Sequence, residues 1–274
     1  MSFELPSSAS FAGFPSIRRS RGFRLYTPEG RRFLDLYQDA GRGMLGSRPK
    51  GLALRFKNSL DKLGPAAMPS IWERRAARLL NSFFPDYPQV SVFPSYPEAM
   101  KALEARLGPD SAPFRDPLDA GCGTDELSEI DGPCIWRPFL PVPPTDVLLP
   151  VLPGTGTWGG VFVLSRKSLD LIQAPVPSFL LAPQVYAAGL FFRWISEADL
   201  DYYKSFPRGP WERRGPYLFP RCAKEAYPGL VQELLSCGIY PSPDYHLPSI
   251  IPGSYEEGDI KSLRNWEGKW KSVR

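Results

Sequence analysis

The sequence predicts an α/β fold. β-like runs alternate with stretches of helical spacing, short apolar runs lie between turn signals, and helix starts carry capping residues. The chain has 274 residues, enough for one large domain or two small ones. Proline is abundant, 32 residues, but with the 24 glycines it stays below the roughly 25–30% that marks low complexity, so stiff loops are expected rather than disorder.

Residues 1–20 are rich in Ser and small residues and read as an arm. The arm ends in the basic stretch "IRRSRGFR", expected to be a solvated face. In "FRLYTPEGRRFLDLY" two β-like runs flank Thr27-Pro28-Glu29-Gly30, which is turn chemistry, so a hairpin follows. "DAGRGMLGSRPKG" is a glycine-rich loop. Leu52, Phe56, Leu60 and Leu63 have the spacing of one helix face. Ser70 with Glu73 makes a capping box, and Leu79, Leu80, Phe83 and Phe84 give that helix its apolar side.

"QVSVF" reads as a strand and "PEAMKALEARLG" as a helix stopped by Gly108. Residues 109–133 read as a linker, part of a Pro-rich connector over 109–143. "CIWRPFLPV" is confined by its prolines to a sheet edge or end. "DVLLPVL" and "GGVFVLS" read as buried strands around "PGTGTW". A long helix is expected from Pro183 to about residue 206, another over 228–237, and a charged helix in the tail.

The single histidine, His246, excludes multi-histidine metal sites within one chain and reads as structural. No metal site is expected. The four cysteines form no C-x-x-C pair, which argues against a zinc or thioredoxin-like site. The start shows no signal-peptide pattern, and no apolar run reaches about 18 residues. A cytoplasmic protein with no membrane partner is expected, and the mild net charge of +4 gives no case for nucleic acid.

Several segments, in order, resemble the class III aminotransferases. "RLYTPEGRRFLDLYQDAGRGMLGSRP" resembles their N-terminal hairpin and Gly-rich loop, with Gly30, Asp35, Leu45, Gly46 and Pro49 in step and Ser47 where the family has His. "VSVFPSYPEAMKALEARLG" resembles "V-x-F-x-x-S-G-T-E-A", with Ser95, Glu98, Ala99, Ala102 and Arg106 matching. "PPTDVLLPVLPGTGTWGGVFVLSRKSL" resembles the lysine-bearing segment, through Asp146, Gly154, Gly156 and Gly159. "SFLLAPQVYAAGLFFRWI" resembles "T-F-S-G-N-P" and its helix. "CGIYPSPDYHLPSIIPG" resembles the C-terminal segment of the glutamate-1-semialdehyde aminomutase subgroup. The match covers about residues 21–107 and 144–265. Between them only the connector stands where the family has a long block of its large domain.

The resemblance implies a truncated pyridoxal-phosphate (PLP) fold-type-I architecture. Its large domain would keep a partial, mainly parallel sheet with helices, beside an α+β small domain. The expected divisions are an arm over 1–20, an N-terminal segment over 21–65, a reduced large domain over 66–181 and a small domain over 182–274. It also implies where chemistry would be. Family members hold PLP on a lysine, because only a primary amine forms the imine. The matched position is Leu152, beside Pro153, and residues 145–166 contain no lysine. Lys167 is expected on the surface. In the phosphate turn Tyr96-Pro97 replaces Gly-Thr; Pro97 has no N–H and Tyr96 adds bulk.

Ser95 and Ser178 are the candidate residues of a residual phosphate site. Ser95 with Glu98 also reads as a helix cap. No catalytic residue is assigned. The resemblance implies a non-catalytic protein that binds or assembles, without cofactor unless PLP. As partner it implies a second copy or a related aminotransferase. The alternatives are a PLP-dependent aminotransferase or aminomutase with a displaced lysine, and a binder of small phosphometabolites at the Ser95 turn.

Overall fold

A computed structural model describes residues 8–108, 114–118 and 132–272. Its strands are β1 (Arg19–Arg21), β2 (Arg24–Tyr26), β3 (Arg32–Asp35), β4 (Gln89–Phe93), β5 (Cys134–Trp136), β6 (Val147–Pro150), β7 (Val161–Ser165), β8 (Trp211–Arg214), β9 (Tyr217–Pro220), β10 (Ile239–Tyr240) and β11 (Ser249–Ile250). Its helices are α1 (Leu52–Leu63), α2 (Ile71–Phe83), α3 (Tyr96–Leu107), α4 (Ser178–Glu197), α5 (Leu200–Lys204), α6 (Tyr227–Ser236) and α7 (Glu257–Ser272). They fall into two units. Of the described residues, those within 50–197 make one; residues 8–49 and 198–272 make the other.

The first unit is built on a four-stranded sheet in the order β4-β7-β6-β5. The expectation of a mainly parallel sheet is half right. β4 and β6 both pair antiparallel with β7, and β5 pairs parallel with β6, so three strands run one way and β7 runs against them. The cause is the connection between β6 and β7. Residues 151–160 hold no crossover helix, and a parallel return needs about a dozen residues or more. β7 is buried along its whole length, as its continuous apolar run requires.

The described part of the connector is not a solvated linker. Arg115 forms a parallel bridge with Cys134, its N–H donating to the Pro133 carbonyl at 3.1 Å and its carbonyl accepting from Ile135 at 2.9 Å. Residues 114–116 therefore cover the free edge of β5, and Asp116 forms a buried ion pair with Arg137. Residues 109–113 and 119–131 of the expected linker lie outside the described residues.

α2 starts as its sequence predicts. The Ser70 N–H donates to Glu73 Oε2 at 2.9 Å, and Ser70 Oγ accepts from the Trp72 N–H at 3.2 Å. α1 packs on α4, but Leu60, expected on its inner face, is 49% exposed. α4 begins at Ser178, five residues before the expected start, with the Pro177 carbonyl accepting from the Leu180 and Leu181 N–H groups; Pro183 lies inside the helix. The long helix also breaks after Glu197, because Asp199 caps a new one, α5, accepting from the Asp201 N–H at 2.9 Å.

In the second unit, β1, β2 and β3 form an antiparallel meander with β10 added in parallel to β3. The Thr27–Gly30 turn is where the sequence predicts it: the Gly30 N–H donates to the Thr27 carbonyl at 3.1 Å. "IRRSRGFR" is more than a solvated face, since Arg19–Arg21 is itself a strand and Arg24 is a paired residue of β2. A second sheet, β11-β9-β8, and helices α5 to α7 complete the unit. In the loop after β3, Gln38, Asp39 and Ala40 are all left-handed, with φ of 45°, 50° and 53°. Asp35 holds that strained turn, its Oδ1 accepting from the Tyr37 and Gln38 N–H groups at 3.0 and 2.8 Å.

Candidate functional site

β4 and β6 run in the same direction, so the turn after β4 and the loop after β6 emerge at one end of the sheet. In open α/β sheets that end is where ligands bind. Here it is the meeting place of the 94–97 turn, the 151–160 loop and α4.

Leu152 stands just past the end of β6 and is fully buried. Its N–H donates to Thr155 Oγ1 at 3.2 Å, and its carbonyl accepts from the Thr155 N–H at 3.1 Å. The loop then folds on itself, the Gly159 N–H reaching the Gly154 carbonyl at 2.8 Å. Two glycines let aromatic rings lie against this backbone. A Cβ on Gly156 (φ +66°) would come within 2.4 Å of the Tyr96 ring. A Cβ on Gly154 (φ +79°) would come within 2.5 Å of the Trp158 indole, which meets the Phe56 ring edge-on at 4.8 Å. Tyr96, the bulky residue of the turn, joins Ala99, Val151 and Val161 in the core.

The loop is pinned from the helix side. The Gly160 N–H donates to Gln184 Oε1 at 2.8 Å, and Gln184 Nε2 donates to the Gly160 carbonyl at 2.7 Å. Gln184 is fully buried, and a Cβ on Gly159 would come within 2.4 Å of its amide carbon. The sequence reading missed Gln184. Its signal is a lone carboxamide in the apolar run of α4, which burial forces to find a partner.

The residues singled out from the sequence each have a defined place. Ser95 caps α3, its Oγ accepting from the Glu98 N–H at 3.4 Å; this is one half of a capping box. Ser178 is buried at the start of α4, and its Oγ donates to the Met68 carbonyl at 3.4 Å. The Ser95 hydroxyl thus serves its own helix start, and that of Ser178 ties the start of α4 to the segment before α2. Lys167 is exposed beyond the C-terminal end of β7. β7 begins at the Leu152 end of the sheet, so the four steps from Val161 to Ser165, about 13 Å, separate that end from the point where the chain leaves toward Lys167. His246 is half-buried beside Tyr245. Trp158 is packed. Among the described residues no group of three His, Cys, Asp or Glu side chains is placed to hold a metal ion, and no helix is long and apolar enough to cross a membrane.

No family model matches the chain. In sequence it is 27% identical over 255 residues to an uncharacterized protein of Borreliella burgdorferi, covering 91% of this chain and 89% of that one. It is 28% identical over 296 residues to an uncharacterized protein of Treponema pallidum, covering 87% and 89%. In structure it is similar to a β-phenylalanine aminotransferase from Variovorax paradoxus, with a TM-score of 0.67 at 13% identity, covering 98% of this chain and 90% of that one. It is also similar to a serine palmitoyltransferase from S. paucimobilis solved with PLP bound, with a TM-score of 0.64 at 11% identity, covering 94% and 93%. An ornithine aminotransferase from Toxoplasma gondii gives 0.64 at 12% identity, covering 95% and 92%. The chain has the α/β fold of these PLP-dependent transferases.

Proposed function

We propose that this protein is a degenerate relative of the class III aminotransferases that does no imine chemistry and acts by binding or assembly. One observation carries the reading. At the strand end where the matched lysine would stand there is a buried leucine, and the chain's own Tyr96 ring lies on the Gly156 backbone beside it. These residues do not fit PLP. An imine needs a primary amine, and residues 145–166 supply none. A phosphate needs free N–H donors or cations, but Pro97 has no N–H, and Leu152, Tyr96, Gly156, Trp158 and Gln184 carry no charge. A cytoplasmic dimer, of two copies or of one copy with an intact aminotransferase, is the assembly that goes with this reading.

Mixing the purified protein with PLP tests it. No imine absorbance band is expected, and borohydride reduction followed by peptide mapping should find no stoichiometrically modified lysine. A single lysine carrying the reduced adduct would overturn the proposal. The mass in solution, against 30.7 kDa for one chain, tests the homodimer separately.

A further inference from the structure

We infer that the depression between α1, α2 and α4 is a binding site for an elongated polyanion of the polyphosphate class. It lies wholly within residues 50–197 and encloses about 390 Å³. The inference does not rest on the reading of the strand-end cluster, which has a different lining.

Its walls are cationic. Arg55 and Lys62 project from α1, and Arg75 from α2. No Asp or Glu lines it, and none of these three cations has a carboxylate within ion-pair reach among the described residues. Residues 50–78, which supply two of its walls, hold seven Lys and Arg against two acids, while the whole chain has a net charge of +4. The two acids are not in the lining; Glu73 is folded back onto Ser70 as its cap.

Both arginines are held in place before any ligand arrives. The Arg55 guanidinium lies 4.8 Å from the centre of the Tyr186 ring, and that of Arg75 lies 4.5 Å from the Trp72 ring. Tyr186 is fixed in turn: its hydroxyl donates to the Lys50 carbonyl at 3.0 Å, and a Cβ on Gly51 would come within 2.7 Å of that oxygen. Glycine at 51 is thus what admits the ring that carries Arg55.

The spacing selects the ligand. Arg55 and Lys62 are seven residues apart on one helix face, about 10 Å along the axis. A single phosphate does not span that distance; a chain of two or three phosphates approaches it, with Arg75 closing from the other wall. The floor between them is apolar, with Leu63, Ala182 and Val185. That leaves room for the organic body of a nucleotide, so free polyphosphate and nucleoside phosphate are the two sources of the same chemistry.

The full chain is titrated calorimetrically at low salt with tripolyphosphate, ADP and adenosine, and its thermal unfolding is followed with each. Tripolyphosphate and ADP should bind and raise Tm, adenosine should not, and the relative affinity of the two anions tells which source the floor favours. Arg55→Gln and Arg75→Gln should each weaken binding about tenfold or more, as loss of a charge-assisted hydrogen bond does. Arg193→Gln, an exposed α4 residue outside the lining, should not. Ligand-induced quenching of tryptophan emission should vanish in Trp72→Phe while binding persists. Circular dichroism confirms that each variant is folded, and Lys62→Gln replaces any that is not. Neither anion binding at millimolar concentration, or binding that survives Arg55→Gln combined with Arg75→Gln, overturns the inference.

Discussion

The two units differ in the polar groups they bury beside their strand ends and turns. At the strand end of the first, a buried neutral carboxamide, Gln184, is matched to both the N–H and the carbonyl of one residue, Gly160. In the second, charge is buried. Asp259 is 8% exposed and takes a forked hydrogen bond from Arg24, at 3.0 Å to Oδ1 and 2.7 Å to Oδ2. Asp35 sits behind a strained left-handed turn. The cluster around Leu152 and Gln184 is therefore uncharged, but the buried Asp116–Arg137 pair lies at the same sheet end, just past β5, so both units use buried charge for architecture. A neutral match is insensitive to pH, whereas a buried carboxylate is not. That contrast can be broken.

The largest effect is expected at Gln184. Replacing it with Leu keeps the volume but strands both the N–H and the carbonyl of Gly160 in the interior. Each unsatisfied group costs about 1–3 kcal/mol, so a loss of about 3 kcal/mol is expected in denaturant unfolding, equal at pH 5 and pH 8. A loss that changed across that range would show that Gln184 is coupled to a titrating group and undo the contrast.

Asp259→Asn comes next. It removes the charge from the fork that ties β2 to α7, while Arg24 keeps Glu256 at 3.0 Å. A loss of about 2–3 kcal/mol at pH 7 is expected, below the 3–5 typical of a fully buried pair. Burial alone would raise this carboxyl, but the hydrogen bonds from Arg24 and the Glu256 N–H hold it below the usual carboxylate range. Its contribution is thus present at neutral pH and lost as pH falls through the folded-state value, so wild type and variant should converge in acid.

What the sequence made legible, and what it hid, follows from range. The Ser70–Glu73 box and the Ser95 cap involve neighbours three residues apart, and both are found where the residues predict them. That residues 145–166 contain no lysine is a matter of identity, readable without coordinates. Gln184 and Gly160 are 24 residues apart, and Asp116 and Arg137 are 21, so no local pattern announces either pair. Leu60 fits the spacing of the inner face of α1 but faces solvent, because periodicity marks a stripe and not its edges. Three consecutive non-glycine residues in left-handed backbone have no sequence signal, since local sterics disfavour what the surrounding unit imposes.

The smallest effect, at Asp35, has the opposite sign to that at Asp259. Burial pushes this carboxyl up to about 6, and the N–H groups of Gln38 and Tyr37 only partly offset it. The unfolded chain ionises near 3.9, so between these values the folded state holds the extra proton. Asp35 therefore favours folding fully below about pH 4, and that advantage is lost as pH rises through about 6. Asn at this position keeps an oxygen for the Tyr37 and Gln38 donors but cannot ionise. Relative to wild type, Asp35→Asn should gain about 2 kcal/mol between pH 4 and pH 7, read as the difference of two urea-unfolding profiles. A flat difference would mean that the carboxylate enters the folded state without cost. Asp35 would then be hydrated, and the second unit would hold one perturbed carboxylate instead of two of opposing sign.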